Sequence, residues 1–247
     1  MKVSLITITH NKAEGLRRTI ASINAQRLQP GVEVEHIIVD GCSSDGTDAV
    51  LKEAEAQSII IRREPVGVYD AINAGISAAS GSIIGLLHGG DVFSDNSVIQ
   101  DVVNAFSAIE APDYVYGDIH YLTRKGRIGR LFQGRPASRE TLLTGFQPPH
   151  PSLYITAKAQ REVGLYSTDY RNAGDYEMIL RIFFNDNLRG RYLARDMVAM
   201  EPGGLATRLP SRLWINNAER RKALRSMGFS VSWFTILRHY LYLFRIK

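Results

Sequence analysis

The sequence predicts an α/β fold: a doubly wound, mostly parallel sheet with a C-terminal helical tail. Three observations predict it. Through residue 122, short β-branched runs alternate with segments of helical periodicity. The length of 247 residues suits one large α/β domain, or one domain plus an appendage. No internal repeat or low-complexity linker divides the chain.

The elements follow in order. "KVSLITITH" reads as a first strand ending at polar residues, and Leu16, Ile20 and Ile23 then mark one face of a helix. "VEVEHIIVDG", from Val32 to Gly41, is a second strand. "SSDGTDAVLKEAEAQ" opens with good N-cap residues and continues as a helix. "SIIIRREP" is a third strand, "VYDAINAGISAAS" a helix that Gly81 stops, and "SIIGLLHGGD" a fourth strand. "SVIQDVVNAFSAI" is a further helix, and "DYVYGDIHYL" a fifth strand. Beyond residue 123 the pattern weakens. "TRKGRIGR" reads as a polar turn or hairpin, "TGFQPPHPSLY" as a proline-rich loop entering a short strand, and "GDYEMILRIFFN" as an amphipathic helix. "EPGGLATRLPSR" is a glycine-rich loop, and "NNAERRKALRSM" a charged helix.

Charge is unevenly placed. The net charge is +5, yet residues 201–247 hold nine Lys or Arg against two acidic residues. Basic character confined to the tail argues against a nucleic-acid binder and for a tail that meets an anionic surface. The single cysteine, Cys42, cannot form an internal disulfide, so nothing argues for an oxidising compartment. The first residues are too interrupted for a signal peptide and read as a buried strand.

Several site types are missing. There is no Gly-x-Gly-x-x-Gly after the first strand, no Walker loop, no Gly-x-Ser-x-Gly elbow and no Cys/His set with zinc spacing. Acidic residues instead recur at strand ends: Asp40, Asp91 and Asp118, with Asp70 opening the third helix. Carboxylates gathered on one sheet edge repel one another unless a divalent metal or ligand hydrogen bonds compensate.

The blocks "ITITHNKAEGLRRTIASI", "HIIVDGCSSDGT", "EPVGVYDAINAGISAASGSIIGLLHGGD", "YGD", "HPSLY" and "AGDYEMILR" occur in the order seen in family 2 glycosyltransferases. Over roughly residues 3–207 the chain resembles the subgroup that builds bacterial surface polysaccharides, including colanic-acid-type transferases. The resemblance implies a glycosyltransferase A-type fold, a nucleotide-sugar donor and an inverting mechanism. By it, 1–207 is the catalytic domain, with a nucleotide-binding half to about 122 and an acceptor half after it; 208–247 is a basic amphipathic tail.

Residue by residue, the resemblance implies that Thr9 and Asn11 cup the nucleotide and that Asp40 contacts the base. Asp70 and Asn73 line the nucleotide side, with Gly89 and Gly90 in the turn beside it. Asp91 reaches a Mg²⁺ or Mn²⁺ ion. Asp175 is the catalytic base, His150 stands on the acceptor side, and Gly203 and Gly204, grouped with the acceptor side, belong to a flexible loop near the donor. Where many relatives carry two acids, this chain reads His88-Gly89-Gly90-Asp91, so one carboxylate holds the metal with phosphate oxygens and water, and His88 is a candidate further ligand.

The stretch "VSWFTILRHYLYLFRIK", 231–247, is apolar and aromatic with interspersed basic residues. It falls short of the roughly 20 apolar residues of a spanning helix and suits an interfacial helix on an anionic leaflet. The alternative is a helix packed on the catalytic domain or on a second copy in a homodimer. The expectation is therefore a cytoplasmic enzyme, peripheral on the inner face of the cell membrane, acting on a glycan or lipid-linked acceptor. Two rivals stand beside it: a nucleotidyltransferase, and a non-catalytic nucleotide-sugar-binding or scaffold protein of the same fold.

Overall fold

The structure, a computed structural model, describes residues 1–123, 128–143, 146–201 and 210–230. Strands β1 (Lys2–Thr9), β2 (Glu33–Asp40), β3 (Ser58–Arg62) and β4 (Ile83–Leu86) lie parallel in the order β3-β2-β1-β4. Helices α1 (Ala13–Asn24), α2 (Thr47–Ala54) and α3 (Val68–Ala78) make the crossovers. Because helices cover both faces, consecutive residues such as Leu5 and Ile6 are both fully buried, which is why these strands read as apolar runs without alternation.

Past β4 the sheet becomes mixed. The chain runs on through β5 (Val92–Phe93), α4 (Val98–Phe106), β6 (Tyr114–Leu122), β7 (Ile128–Phe132), α5 (Arg139–Leu143), a 3₁₀ turn at His150–Ser152 and β8 (Tyr154–Thr156). It ends with α6 (Ala157–Val163), α7 (Gly174–Phe183), β9 (Gly190–Met200) and α8 (Pro210–Ser226). The order continues β4-β8-β6-β9-β5, and β8 is antiparallel to both its neighbours. That double reversal keeps β6 parallel to β4, so both run towards the same edge. β7 folds back on β6 as the expected hairpin, whereas β5 and β9 were not expected. The parallel expectation therefore holds for the first half, and the second half is a mixed sheet.

One core layer packs α3, α6 and α7 on the sheet through Ile6, Ile37, Ile72, Tyr176 and Ile179. The other packs α4 through Val98, Ile99 and Val102. Ala223 and Leu224 of α8 are buried in the first layer, so α8 packs with α7 rather than standing apart beyond residue 207.

A polar chain crosses the parallel strands inside this core. Thr7 donates to the Leu87 carbonyl at 2.8 Å, so its hydroxyl is left to accept from His36 Nε2, 2.9 Å away. His36 Nδ1 then accepts from Ser58, 3.0 Å away. Burial pushes His36 down to about 4 from its ordinary 6.5 and keeps it neutral. An unfolded chain binds this proton below 6.5, while the folded chain resists until about 4, so stability falls as pH drops through that window. The loss from His36 is at most about 3 kcal/mol; His88, whose ring is also pushed down by burial, adds to it with the same sign. Thermal unfolding followed between pH 7 and pH 4 should show a falling midpoint, with a shallower fall in His36→Asn.

Candidate active site at the strand edge

The loops after β1 and β2 are laced together. Asn11 N donates to Ser43 Oγ and Asn11 Oδ1 accepts from Ser44 N, both at 2.8 Å. Asn11 reaches this position at φ +50°, a left-handed conformation that asparagine tolerates. Asp40 is 2% exposed, and its two oxygens accept from the Ser43 hydroxyl at 2.5 Å and the Ser43 N–H at 3.0 Å. Asp45 Oδ2 accepts from Ala13 N at 3.1 Å, holding the first turn of α1. The expected helix start at Ser43 is therefore corrected. α2 begins at Thr47: Ser43 is committed to the neighbouring loop, and Asp45, whose other oxygen accepts from Thr47 N at 2.9 Å, bridges the starts of α1 and α2.

Two glycines precede Asp91 because α1 lies against them. A Cβ on Gly15 would sit 3.1 Å from Gly90 Cα, and Gly90 has φ +106°. Thr19 accepts from Gly90 N at 3.0 Å and donates to the Asp91 carbonyl at 2.7 Å. The turn thus delivers a carboxylate that is 7% exposed. Burial pushes Asp91 up to about 7, against the opposing pull of the Glu201 N–H and Lys12. Glu201 N donates to Asp91 Oδ1 at 3.3 Å, and its carboxylate pairs with Lys12 and Arg18. Lys12 Nζ also donates to the Gly89 carbonyl at 3.1 Å. Lys12, Arg18 and Glu201 escaped the sequence reading, because nothing in their spacing marks them as partners across the sheet edge.

A second cluster lies in the other half. Asp175 is the second residue of α7 and half-buried; the N-cap position falls to Ala173. Its Oδ1 accepts from Tyr176 N at 2.8 Å and its Oδ2 from Gln147 Nε2 at 3.1 Å. His150 is buried, bonded through Nε2 to the Tyr166 hydroxyl at 2.8 Å, and its ring stacks on His88 with centroids 6.0 Å apart. Tyr166 stacks in turn on Tyr69 at 5.9 Å. A column of four rings therefore runs from the Gly-Gly-Asp turn to α7. Burial lowers both histidines, His88 to about 3, and Asp175 opposes the shift at His150. Both are neutral at pH 7. Two buried polar atoms at this edge, Thr9 Oγ1 and His88 Nδ1, have no partner among the described residues.

The remaining expected residues divide. Asn73 uses both ends of its amide on the backbone of Tyr166, each at 2.8 Å. Asp70 pairs with Arg63 at 2.9 Å. Asp118 accepts from Gly134 N at 2.6 Å and the Tyr192 hydroxyl at 2.7 Å, which fixes strands rather than a ligand. Gly203, Gly204 and 231–247 lie outside the described residues. Among the described residues, no three His, Cys, Asp or Glu side chains gather as a metal cluster.

Comparison with known proteins follows this geometry. The profile described as Glycosyl transferase family 2 matches residues 4–161. An uncharacterised glycosyltransferase of Mycobacterium tuberculosis is 35% identical over 181 residues, covering 72% of this chain and 68% of the relative. A PGL/p-HBAD biosynthesis glycosyltransferase of Mycobacterium bovis is 28% identical over 194 residues, covering 77% and 73%. Staphylococcus aureus TarS 1–349 in complex with UDP-GlcNAc superposes with a TM-score of 0.67 at 15% identity, covering 97% of this chain and 78% of TarS. The mannosyltransferase PcManGT of Pyrobaculum calidifontis, in complex with GDP-Man and Mn²⁺, gives 0.58 at 15% identity, covering 94% and 76%. The two solved structures establish the shared fold, a glycosyltransferase A-type architecture.

Thr19→Val keeps the shape of the side chain and strips Gly90 N and the Asp91 carbonyl of their partner. Denaturant unfolding should show a loss of about 1–3 kcal/mol. An unchanged midpoint would mean that the turn holds itself.

Proposed function

This chain belongs to glycosyl transferase family 2, and from that premise we propose that it moves a sugar from a nucleoside-diphosphate donor to a glycan hydroxyl with inversion at the anomeric carbon. The observation that carries the reading is the division between two carboxylates. Asp91 is buried at the end of β4 beside Lys12, and Asp175 is half-exposed at the start of α7.

In this reading Asp175 takes the proton of the acceptor hydroxyl as the new bond forms to the anomeric carbon. The bond from that carbon to the diphosphate breaks, and the nucleoside diphosphate leaves with the electron pair. Lys12 and Arg18, which pair with Glu201 in this structure, are the cations nearest the expected diphosphate. Thr9 and Asn11 border the nucleotide. The neutral column from His88 to Tyr69 keeps the space between the two halves packed.

Asp91 fits a hard divalent cation, because its burial leaves a carboxylate charge that little protein charge offsets. Asp91 would hold Mg²⁺ or Mn²⁺ together with diphosphate oxygens, and the ion would offset the charge of the leaving group. PcManGT, crystallised with GDP-Man and Mn²⁺, supports this assignment by analogy.

The acceptor we propose is a lipid-linked intermediate of bacterial surface glycan synthesis. The relative named for PGL/p-HBAD biosynthesis supports it, as does the basic, aromatic composition of 231–247. Among the described residues no helix is long and apolar enough to cross a membrane. The enzyme would work at the cytoplasmic face.

Calorimetric titration of UDP, GDP, CMP and dTDP, each with Mn²⁺ and then with chelator, tests the donor side. One diphosphate should bind in a metal-dependent manner, and Asp91→Ala should abolish the metal dependence. Equal binding with chelator would sink the metal assignment. Asp175→Asn should lower turnover about 10²–10⁴-fold while leaving nucleotide affinity unchanged. Release of pyrophosphate with nucleotidyl transfer would overturn the reading altogether.

A further inference from the structure

α7 begins with backbone amides that its own turns cannot satisfy. The three amides just before its first turn, from Arg171, Asn172 and the N-cap Ala173, donate to a single carboxylate, Glu219 of α8, at 2.9, 2.8 and 2.9 Å. The next, Gly174 N, donates to the Tyr69 hydroxyl at 2.8 Å. The segment that leads into Asp175 is therefore held entirely from outside its own helix.

The neighbouring residue of α8 reaches the same place from another side. Arg220 donates to Gln147 Oε1, and its guanidinium lies 4.5 Å over the Tyr176 ring. An amide has one acceptor end and one donor end. With Arg220 on the oxygen, the NH₂ of Gln147 is turned towards Asp175 Oδ2, 3.1 Å away. Packing of α8 is carried separately, one turn further on, by Ala223 and Leu224.

We propose that Glu219 and Arg220 are positioning residues for the acceptor-side carboxylate: α8 is a clasp that aims Asp175, through the backbone before it and through Gln147 beside it. The proposal rests on reading Asp175 as the base.

The test uses the full chain with Glu219→Gln, Arg220→Met, Gln147→Leu, the Gln147→Leu/Arg220→Met pair, and Leu224→Ala as a packing control. Nucleoside diphosphate release is measured from UDP-GlcNAc, UDP-glucose and GDP-mannose with water as acceptor. Hydrogen exchange is followed in parallel on the ligand-free proteins. Glu219→Gln and Arg220→Met should lower kcat about tenfold or more with donor KM within about threefold. The double variant should be no slower than its slower parent, because Arg220 acts through Gln147. Leu224→Ala should lower the melting temperature without this fall in kcat. The amides of Phe146, Gln147 and His150 and of 171–176 should exchange faster in both α8 variants, with β1 to β4 unchanged.

Unaltered kcat in both α8 variants, multiplicative losses in the double variant, or unaltered exchange at 171–176 would each overturn the clasp. If none of the three donors turns over even in the parent protein, the donor reading is what fails, and the exchange arm alone decides whether α8 holds this segment.

Discussion

The donor edge depends on how closely α1 lies against the turn after β4. Thr19 is the fastener: one hydroxyl accepts from Gly90 and donates to the Asp91 carbonyl. A Cβ at 15 would crowd the Gly90 backbone at 3.1 Å, and Gly90 holds φ +106°, which favours glycine. That contact sets how deeply the Asp91 carboxylate is buried, and burial raises its proton affinity. Loosening it would place the same residue in water, where a lone aspartate holds a cation poorly. The site's electrostatics therefore follow from packing between backbones.

The two halves are joined by uncharged groups. His88 and His150 are each pushed towards neutrality by burial, and their stacked rings lead through Tyr166 and Tyr69 to the start of α7. A charged pair here would have required compensation inside the core, whereas neutral rings pack and share hydrogen bonds. Asn73 then pins the backbone of Tyr166 and so supports the column.

The first half of the fold was legible because its information is local. Each parallel strand is an apolar run and each crossover a helical pattern, as with β1 and α1, and the carboxylates punctuate the strand ends. The second half was less so. β9 reads as an unremarkable mixture, Gly190 to Met200, and becomes a strand by pairing with β6 some 70–80 residues earlier. The "SSDG" segment misled for a related reason: good capping residues were present, but Ser43 is taken up by Asn11 and Asp40, and Asp45 divides its oxygens between Ala13 of α1 and Thr47 of α2. Gln147, Glu219 and Arg220 left no mark at all, since their partners lie far along the chain and only the packing of α8 on α7 brings them together. Asp175 was found through its motif, while its supports were not.

Glu219 also bears on the order in which the protein is made. Synthesis runs from the N-terminus, and domains organise as they emerge. β1 to β4, with Thr19 and Asp91, can assemble while the rest of the chain is still on the ribosome. The amides before Asp175 receive their carboxylate only after residue 219 has been added and has folded back. A chain that has passed Glu201 but not residue 219 therefore has the residues that surround Asp91 and an unsupported entry to α7.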